Sequence, residues 1–177
     1  MSEPALKQSF LCEFATDFDI RSDVAGRSLV ESRNVVIDFL MRPKRHLVVR
    51  GFDDEWIGVE VKHLKSYKLS EVNALAWQSL SYAQSHFAIG SAHVRPLFVL
   101  MHTNRSLNLQ NAKANGVPND SAGVISFVER GNVGWIERDP KYTWRIGFGS
   151  HGYFNVKYGR AAIQNLGIKR NVGNVRC

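Results

Sequence analysis

Apolar residues recur along the chain with two periods, one typical of helices and one typical of strands. In residues 4–16 they recur at helical spacing, which predicts a first helix with Glu13 beside its apolar stripe. In residues 71–88 they do so again, with Ser70 as the predicted N-cap and Gly90 after the end. The two stripes are Ala5, Leu6, Phe10, Leu11 and Phe14, and then Val72, Leu75, Ala76, Leu80, Ala83 and Phe87.

Between and after these helices the apolar residues form short continuous runs that predict buried strands. The three strongest runs are residues 34–41, 56–64 and 95–102. A further short strand is predicted over residues 27–31, after Gly26. Residues 46–52 fit either a strand or a short helical turn.

The second half of the chain is more polar and more often interrupted by glycine. Residues 104–120 predict a loop and residues 121–129 a short helix. The aromatic stretch over residues 131–159 predicts two or three short antiparallel strands. Taken in order, the helices and strands predict an α/β fold around a mixed sheet.

Charge is distributed unevenly over the 177 residues, a length that predicts one domain over residues 1–177. The chain has 23 Lys and Arg against 16 Asp and Glu, a net charge of +7, and residues 141–177 contain seven basic residues and no acidic one. Basic and aromatic residues alternate there, which predicts a nucleic-acid-binding segment, with an ordinary basic sheet as the alternative. The predicted binding residues are Lys141, Arg145, Lys157, Arg160, Lys169 and Arg170.

Several classes of protein do not fit this composition. The two cysteines, Cys12 and Cys177, stand at opposite ends without metal-ligand spacing, which excludes a zinc ribbon and argues against a disulfide scaffold. The first residues have no basic and apolar leader pattern, and no apolar run approaches the roughly 20 residues of a bilayer span. We therefore expect a cytoplasmic protein without a membrane partner.

Charged residues inside the predicted strands indicate chemistry. Asp38 interrupts one apolar run, and Glu60 and Lys62 stand two residues apart in the next, on one face of the strand. Burying such charges is costly unless they are paired or bind a ligand. If the two strands pair, two carboxylates and an amine converge, and hard oxygen ligands of this kind suit Mg²⁺. Two solvated neighbours on an exposed strand face remain the alternative for Glu60 and Lys62.

These residues resemble the motif of the PD-(D/E)XK nuclease superfamily, the restriction-endonuclease-like fold. Asp38 in NVVIDFLM and the Glu60-Val61-Lys62 segment carry the resemblance. Gln78 and Tyr82 on the following helix resemble the QxxxY motif of the RecB-like and Cas4-like branch. The resemblance covers residues 4–102, and residues 121–177 form a β-rich extension without a family match.

The resemblance implies a core of helix, three antiparallel strands, helix and strand. It implies that Asp38 and Glu60 bind Mg²⁺, with Mn²⁺ as a substitute, and that Lys62 positions the attacking water. Gln78 and Tyr82 would support the site or contact the substrate strand, with a surface amide and a half-buried phenol as the alternative. A glutamate on the first helix adds a metal ligand in many members, and the candidates here are Glu13 first and Glu31 second.

The chain departs from the family pattern at two points. Ile37 stands where the superfamily has its proline, at a position that is loosely kept. The 21 residues between Asp38 and Glu60 exceed a tight hairpin, so they must hold an insertion, which we place at residues 46–54.

The function implied is that of a Mg²⁺-dependent nuclease, either an endonuclease or an exonuclease, that hydrolyses DNA phosphodiester bonds through a metal-activated water. RNA stays open as a substrate, because the same residues would serve and no motif here reads a 2′-hydroxyl. A homodimer stays open too, since dimers are frequent where both strands of a duplex are cut. The alternative function is a catalytically inactive nuclease-like module that binds nucleic acid or a protein partner, such as an accessory protein of a phage or mobile element.

Overall fold

The computed structural model describes residues 2–49, 52–109, 114–130, 132–138, 144–147, 153–157 and 160–164. Of residues 129, 145, 153–157 and 160–164 it describes the backbone alone. The helices are α1 (Glu3–Phe14), α2 (Arg45–Val48), α3 (Leu69–Ala83) and α4 (Asn119–Glu129). The strands are β1 (Phe18–Ser28), β2 (Asn34–Pro43), β3 (Ile57–Lys62), β4 (Ser85–Ile89), β5 (Ala92–Val94), β6 (Val99–Thr103), β7 (Val133–Glu137), β8 (Trp144–Gly147), β9 (Tyr153–Lys157) and β10 (Arg160–Gln164).

These strands form one mixed sheet, in the order β10-β9-β8-β7-β6-β3-β2-β1-β4-β5. β2 is antiparallel to both β1 and β3, whereas β6 is parallel to both β3 and β7. A parallel pair needs a crossover, and α3 and α4 lie in the two crossovers. From β7 to β10 each strand is antiparallel to the next. The predicted α/β fold with a mixed sheet is confirmed.

Helices cover both faces of the sheet. α1 packs on one face, where Phe10 and Phe14 stack on each other and Phe10 stacks on Phe39 of β2. α3 and α4 pack on the other, where Leu75 and Ile125 share a core with Met101 of β6. No helix within the described residues has the length and apolar character that a bilayer span requires.

The first helix forms as its sequence predicts. The Ser2 hydroxyl accepts a hydrogen bond from the Ala5 N–H at 3.4 Å, and Pro4 stands in the first turn, where it costs no backbone hydrogen bond. Leu6, Phe10 and Phe14 recur every four residues and are all buried. This stripe fixes which side of α1 faces the sheet.

The prediction of a second long helix over residues 71–88 is wrong at its C-terminal end. α3 stops at Ala83, and β4 follows at once. Phe87 fits a helical stripe and a strand face equally well, and here it pairs with Gly26 of β1. A Cβ on Gly26 would lie 2.4 Å from the His86 carbonyl oxygen, so the missing side chain is what lets the two backbones approach. Gly90, with φ of +60°, turns the β4–β5 hairpin instead of ending the helix.

The N-cap prediction for α3 is also wrong, because Ser70 lies within the first turn and Lys68 occupies the cap position. Lys68 makes no side-chain cap. The Glu71 carboxylate instead accepts a hydrogen bond from the Lys65 N–H at 2.8 Å, which ties the preceding loop to the helix start.

The largest difference between the prediction and the structure is β1. The sequence predicts a strand over residues 27–31, but the strand runs over residues 18–28. Residues 29–33 form the turn that leads into β2. A hydrogen bond of 2.9 Å from the Ser28 N–H to the Arg33 carbonyl closes this turn. Most β1 side chains are not buried, so its sequence lacks an apolar run. Pairing with β2 along nearly the full length supplies its stability.

The remaining predicted elements are present, with ends that differ from the prediction by up to four residues. Residues 45–48 form the helical turn α2, so of the two alternatives for that segment the helical one is confirmed. The helix predicted over residues 121–129 begins at Asn119. The strands predicted over residues 34–41, 56–64 and 95–102 correspond to β2, β3 and β6, and residues 131–159 contain the antiparallel strands β7 to β9.

Candidate active site

The candidate site lies where β2 and β3 separate. The two strands are paired from Met41–Ile57 to Phe39–Val59 and diverge beyond that pair. Past the divergence, the Val61 N–H donates a hydrogen bond of 2.8 Å to Asp38 Oδ2. The carboxylate of Asp38 therefore takes the place of a strand partner and is fixed in the fork between the strands.

A local distortion in β1 and β2 gives Asp38 access to both faces of the sheet. The β1–β2 pairing skips Asp38 and the opposite residue Asp23, which has a positive φ of 50°. Ile37 packs in the core on the α3 side and Phe39 in the core on the α1 side, although regular alternation would put them on one face. The strand changes face at Asp38, so its carboxylate reaches groups on either side.

Glu60 is the most unusual group of the site. Val59 and Val61 belong to the core beside α1, so Glu60 projects toward α3. Glu60 is 3% exposed, and among the residues that the structure describes its Oε2 atom has no hydrogen-bond partner. Burial raises the pKa of Glu60 to about 8, with a further increase from the Asp38 carboxylate, while the charges of Lys7 and Lys62 oppose the shift. Because Glu60 is buried, the alternative that it is a solvated residue on an exposed strand face is wrong.

The pair of carboxyl groups fits a divalent cation. The Asp38 carboxylate contributes to the raised pKa of Glu60, so the two carboxyl groups interact electrostatically. Without a cation the pair avoids repulsion by holding a proton on Glu60, and Oε2 stays unsatisfied. A hard cation would satisfy that oxygen and both charges, and Mg²⁺ commonly binds one or two carboxylates together with waters and substrate phosphates.

Lys62 stands at the end of β3, at the edge of the site. Its side chain is 40% exposed, and its Nζ lies 3.2 Å from Glu3 Oε2 at the start of α1. Its charge lowers the pKa of Glu60, so the two groups interact electrostatically. An exposed ion pair of this kind is weak and leaves the amine able to turn to another anion.

Lys7 is a site residue that the sequence analysis missed. It lies on α1, and its amine forms an ion pair and hydrogen bond with Asp38 Oδ1. Although partial burial acts to lower it, the pKa of Lys7 is raised overall by this hydrogen bond and by the negative charges around it. The sequence signal was slight: one lysine beside the buried stripe of an amphipathic helix.

Gln78 and Tyr82 share a face of α3, as their spacing predicts. Gln78 Nε2 donates to Tyr82 Oη at 2.8 Å, and Tyr82 Oη donates to the Val36 carbonyl at 2.8 Å. Burial raises the pKa of Tyr82 to about 12; Gln78 opposes this, and the charges of Glu60 and Asp38 add to it. The phenol is therefore a neutral donor that ties α3 to β2, two residues before Asp38.

The structure does not bring either candidate glutamate to the acid pair. Glu13 interacts with Ser9 at 3.2 Å and with Arg138 at 3.4 Å. Glu31 accepts from Arg33 at 2.7 Å and from Ser81 at 2.8 Å. Among the residues that the structure describes, no three acidic, histidine or cysteine side chains converge as metal ligands. Among the described residues, the acidic part of the site therefore consists of Asp38 and Glu60, and the α1 residue that contacts Asp38 is Lys7.

The predicted nucleic-acid-binding residues fall largely beyond the described side chains. Lys141, Lys169 and Arg170 lie outside the described residues. Arg145 is on β8, and Lys157 and Arg160 are paired residues of β9 and β10, each described by its backbone alone. Their role stays a prediction.

Comparison with known proteins adds no assignment. No known protein family, curated protein or solved structure matches this chain. The case for function therefore depends on the site itself.

Proposed function

We propose that the protein is a metal-dependent nuclease of the PD-(D/E)XK type that hydrolyses phosphodiester bonds of DNA. We further propose that α1, β1, β2, β3, α3 and β6 form its restriction-endonuclease-like core. In support, these elements follow one another as helix, three antiparallel strands, helix and strand, with the β4–β5 hairpin inserted before the last. The motif residues Asp38, Glu60 and Lys62 lie on adjacent strands, as that assignment requires.

The observation that carries the proposal is the buried Glu60 carboxyl with an unpartnered oxygen beside Asp38. A buried polar atom without a partner is rare and costs about 1–3 kcal/mol, so its retention favours a ligand at that point. Asp38 and Glu60 would hold Mg²⁺ or Mn²⁺. When bound, the ion would supply Lewis acidity, which lowers the pKa of water and draws charge from a phosphate.

Of the other site residues, Lys62 would contact the substrate, and Gln78 and Tyr82 would hold Asp38 in position. Lys62 is exposed enough to leave Glu3 and place its charge against a phosphate, where it would stabilise the charge that builds up during attack. The hydrogen bonds from Gln78 through Tyr82 to Val36 are buried in part and fix the β2 backbone that presents Asp38. Tyr82 and Gln78 are therefore positioning residues.

Cleavage and metal binding should be measured on the same variants. We expect Mg²⁺ or Mn²⁺ to support DNA cleavage by the wild type, and Asp38→Asn to lose both cleavage and calorimetric metal binding. Asp54→Asn is the matched control, because Asp54 is an exposed aspartate paired with Arg42. Wild-type protein that binds no divalent cation, or equal cleavage by the Asp38→Asn protein, would refute the proposal.

A second candidate function is favoured by Lys7. Its ion pair with Asp38 balances the site without a metal ion, provided that Glu60 keeps its proton. That arrangement suits a catalytically inactive nuclease-like module that binds nucleic acid or a protein partner. In that case DNA binding would be independent of divalent cations and unchanged in Asp38→Asn.

A further inference from the structure

A groove lies between β2 and α3, next to the candidate active site. Its volume is about 770 Å³. Val30, Val36 and Trp77 line its walls, and its lining includes Gln78 and Tyr82, whose hydrogen bonds reach the β2 backbone at Val36. The groove is therefore continuous with the residues that hold β2 in place.

The walls of the groove are apolar and exposed. Trp77, on α3, is 62% exposed, and Val30 and Val36 are exposed as well. An exposed apolar patch that includes an indole is typical of a recognition surface. The exposed ring offers a flat face on which a planar ligand can stack.

The charged residues in the described lining of the groove pair with each other. Arg33 and Glu31, both in its lining, pair with each other at 2.7 Å. The groove also contains the amide of Asn34. Flat aromatic and aliphatic walls with amide groups and no net charge match a neutral planar heterocycle with hydrogen-bonding edges better than they match a phosphate or a charged peptide.

We propose that this groove binds an unpaired nucleobase of the substrate strand, stacked on Trp77. The inference rests on the proposed nuclease function and narrows its substrate to nucleic acid with an unpaired stretch beside the cleaved bond. Tyr82 connects the two places: it lines the groove and donates to Val36, two strand residues or about 7 Å from Asp38. Neighbouring nucleotides of one strand can span that distance.

The test is binding of a fluorescent oligothymidylate of about 12 nucleotides, without divalent cations and with chelator present, so that cleavage plays no part. Base stacking predicts that Trp77→Ala weakens binding by about 5- to 150-fold and that Trp77→Phe keeps most of the affinity. Phe127→Ala is the matched control, because Phe127 is 63% exposed on α4 and lies outside the groove lining; its affinity should equal that of the wild type.

Salt separates stacking from phosphate contacts. Overall affinity should fall between about 50 and 200 mM salt, while the ratio of wild-type to Trp77→Ala affinity stays constant, because stacking on a neutral wall displaces no counterions. An oligonucleotide of abasic residues should bind both proteins equally.

Three results would overturn the inference. The Trp77→Ala and Phe127→Ala proteins could bind the oligothymidylate with equal affinity, or Trp77→Ala could weaken binding of the abasic and the normal strand by the same factor. The third is that Trp77→Ala changes only the self-association of the protein, measured by sedimentation. The last would identify the groove as a contact between copies of the chain. None of these results depends on metal binding or cleavage, so failure of the inference is distinguishable from failure of the proposed nuclease function.

Discussion

Replacing Glu60 by glutamine should change how stability depends on pH. In the folded protein the pKa of Glu60 is about 8, mainly through burial, against 4.5 for the free group. Below about pH 4.5 the carboxyl is protonated in both the folded and unfolded states, and the stabilising effect of the folded-state proton is fully present. As pH rises toward 8 that stabilisation is lost, because unfolding then releases a proton.

The size of the effect follows from the pKa interval. One pH unit corresponds to about 1.4 kcal/mol, so the interval from 4.5 to about 8 gives at most about 5 kcal/mol. A glutamine side chain at this position cannot ionise, and it has nearly the same size and shape as the protonated carboxyl. We expect Glu60→Gln to match the wild type near pH 4.5 and to exceed its free energy of unfolding by several kcal/mol at pH 9.

Urea unfolding in chelator at about pH 5, 7 and 9 measures this difference. Glu55→Gln, at an exposed glutamate just before β3, controls for the loss of one carboxyl. If Glu60→Gln and the wild type lost stability in parallel between pH 5 and 9, the carboxyl would be ionised in the folded state and the reasoning about its burial would be refuted.

Three further predictions test neighbouring parts of the account. Because the proton on Glu60 must leave before a cation binds, Mn²⁺ affinity measured by calorimetry should rise about tenfold per pH unit up to about pH 8; a pH-independent affinity would contradict this. Tyr82→Phe removes the donor to the Val36 carbonyl and should lower the free energy of unfolding by about 1–3 kcal/mol, whereas a change below about 0.5 kcal/mol would show that water replaces the hydroxyl. Gly58→Ala places a Cβ 2.8 Å from Ile37 Cδ1 and should cost about 1–3 kcal/mol by the same measurement; an unchanged midpoint would mean that the core yields there.

The sequence was informative where local chemistry decides the structure. The spacing of Leu6, Phe10 and Phe14 determines both the presence and the orientation of α1. Charges within apolar runs identified Asp38 and Glu60, because a carboxyl in such a setting needs a partner or a ligand. Both signals are contained in a few neighbouring residues.

The parts that could not be predicted depend on contacts between distant residues. β1 is polar and becomes a strand through its long pairing with β2. Phe87 satisfies two periodicities, and pairing with Gly26 decides between them. The ion pair of Lys7 with Asp38 joins residues 31 positions apart, and the place of Lys7 beside the stripe of α1 does not identify its partner.

The exposure of Trp77 illustrates the same limit. An aromatic residue beside the apolar stripe of α3 would ordinarily be assigned to the core. It stays exposed because the turn over residues 29–33 and β2 leave a groove along that side of the helix. The groove is a property of how these segments pack and has no counterpart in the sequence pattern.

The most direct measurement of the central claim is a crystal structure of the protein soaked in Mn²⁺, with anomalous scattering used to locate the ion. We predict one peak between the Asp38 and Glu60 carboxylates, with the Lys7 amine moved off Asp38, and no peak there in Asp38→Asn crystals. A soaked wild-type crystal that lacked the peak and kept the Lys7–Asp38 ion pair would contradict the metal-dependent account.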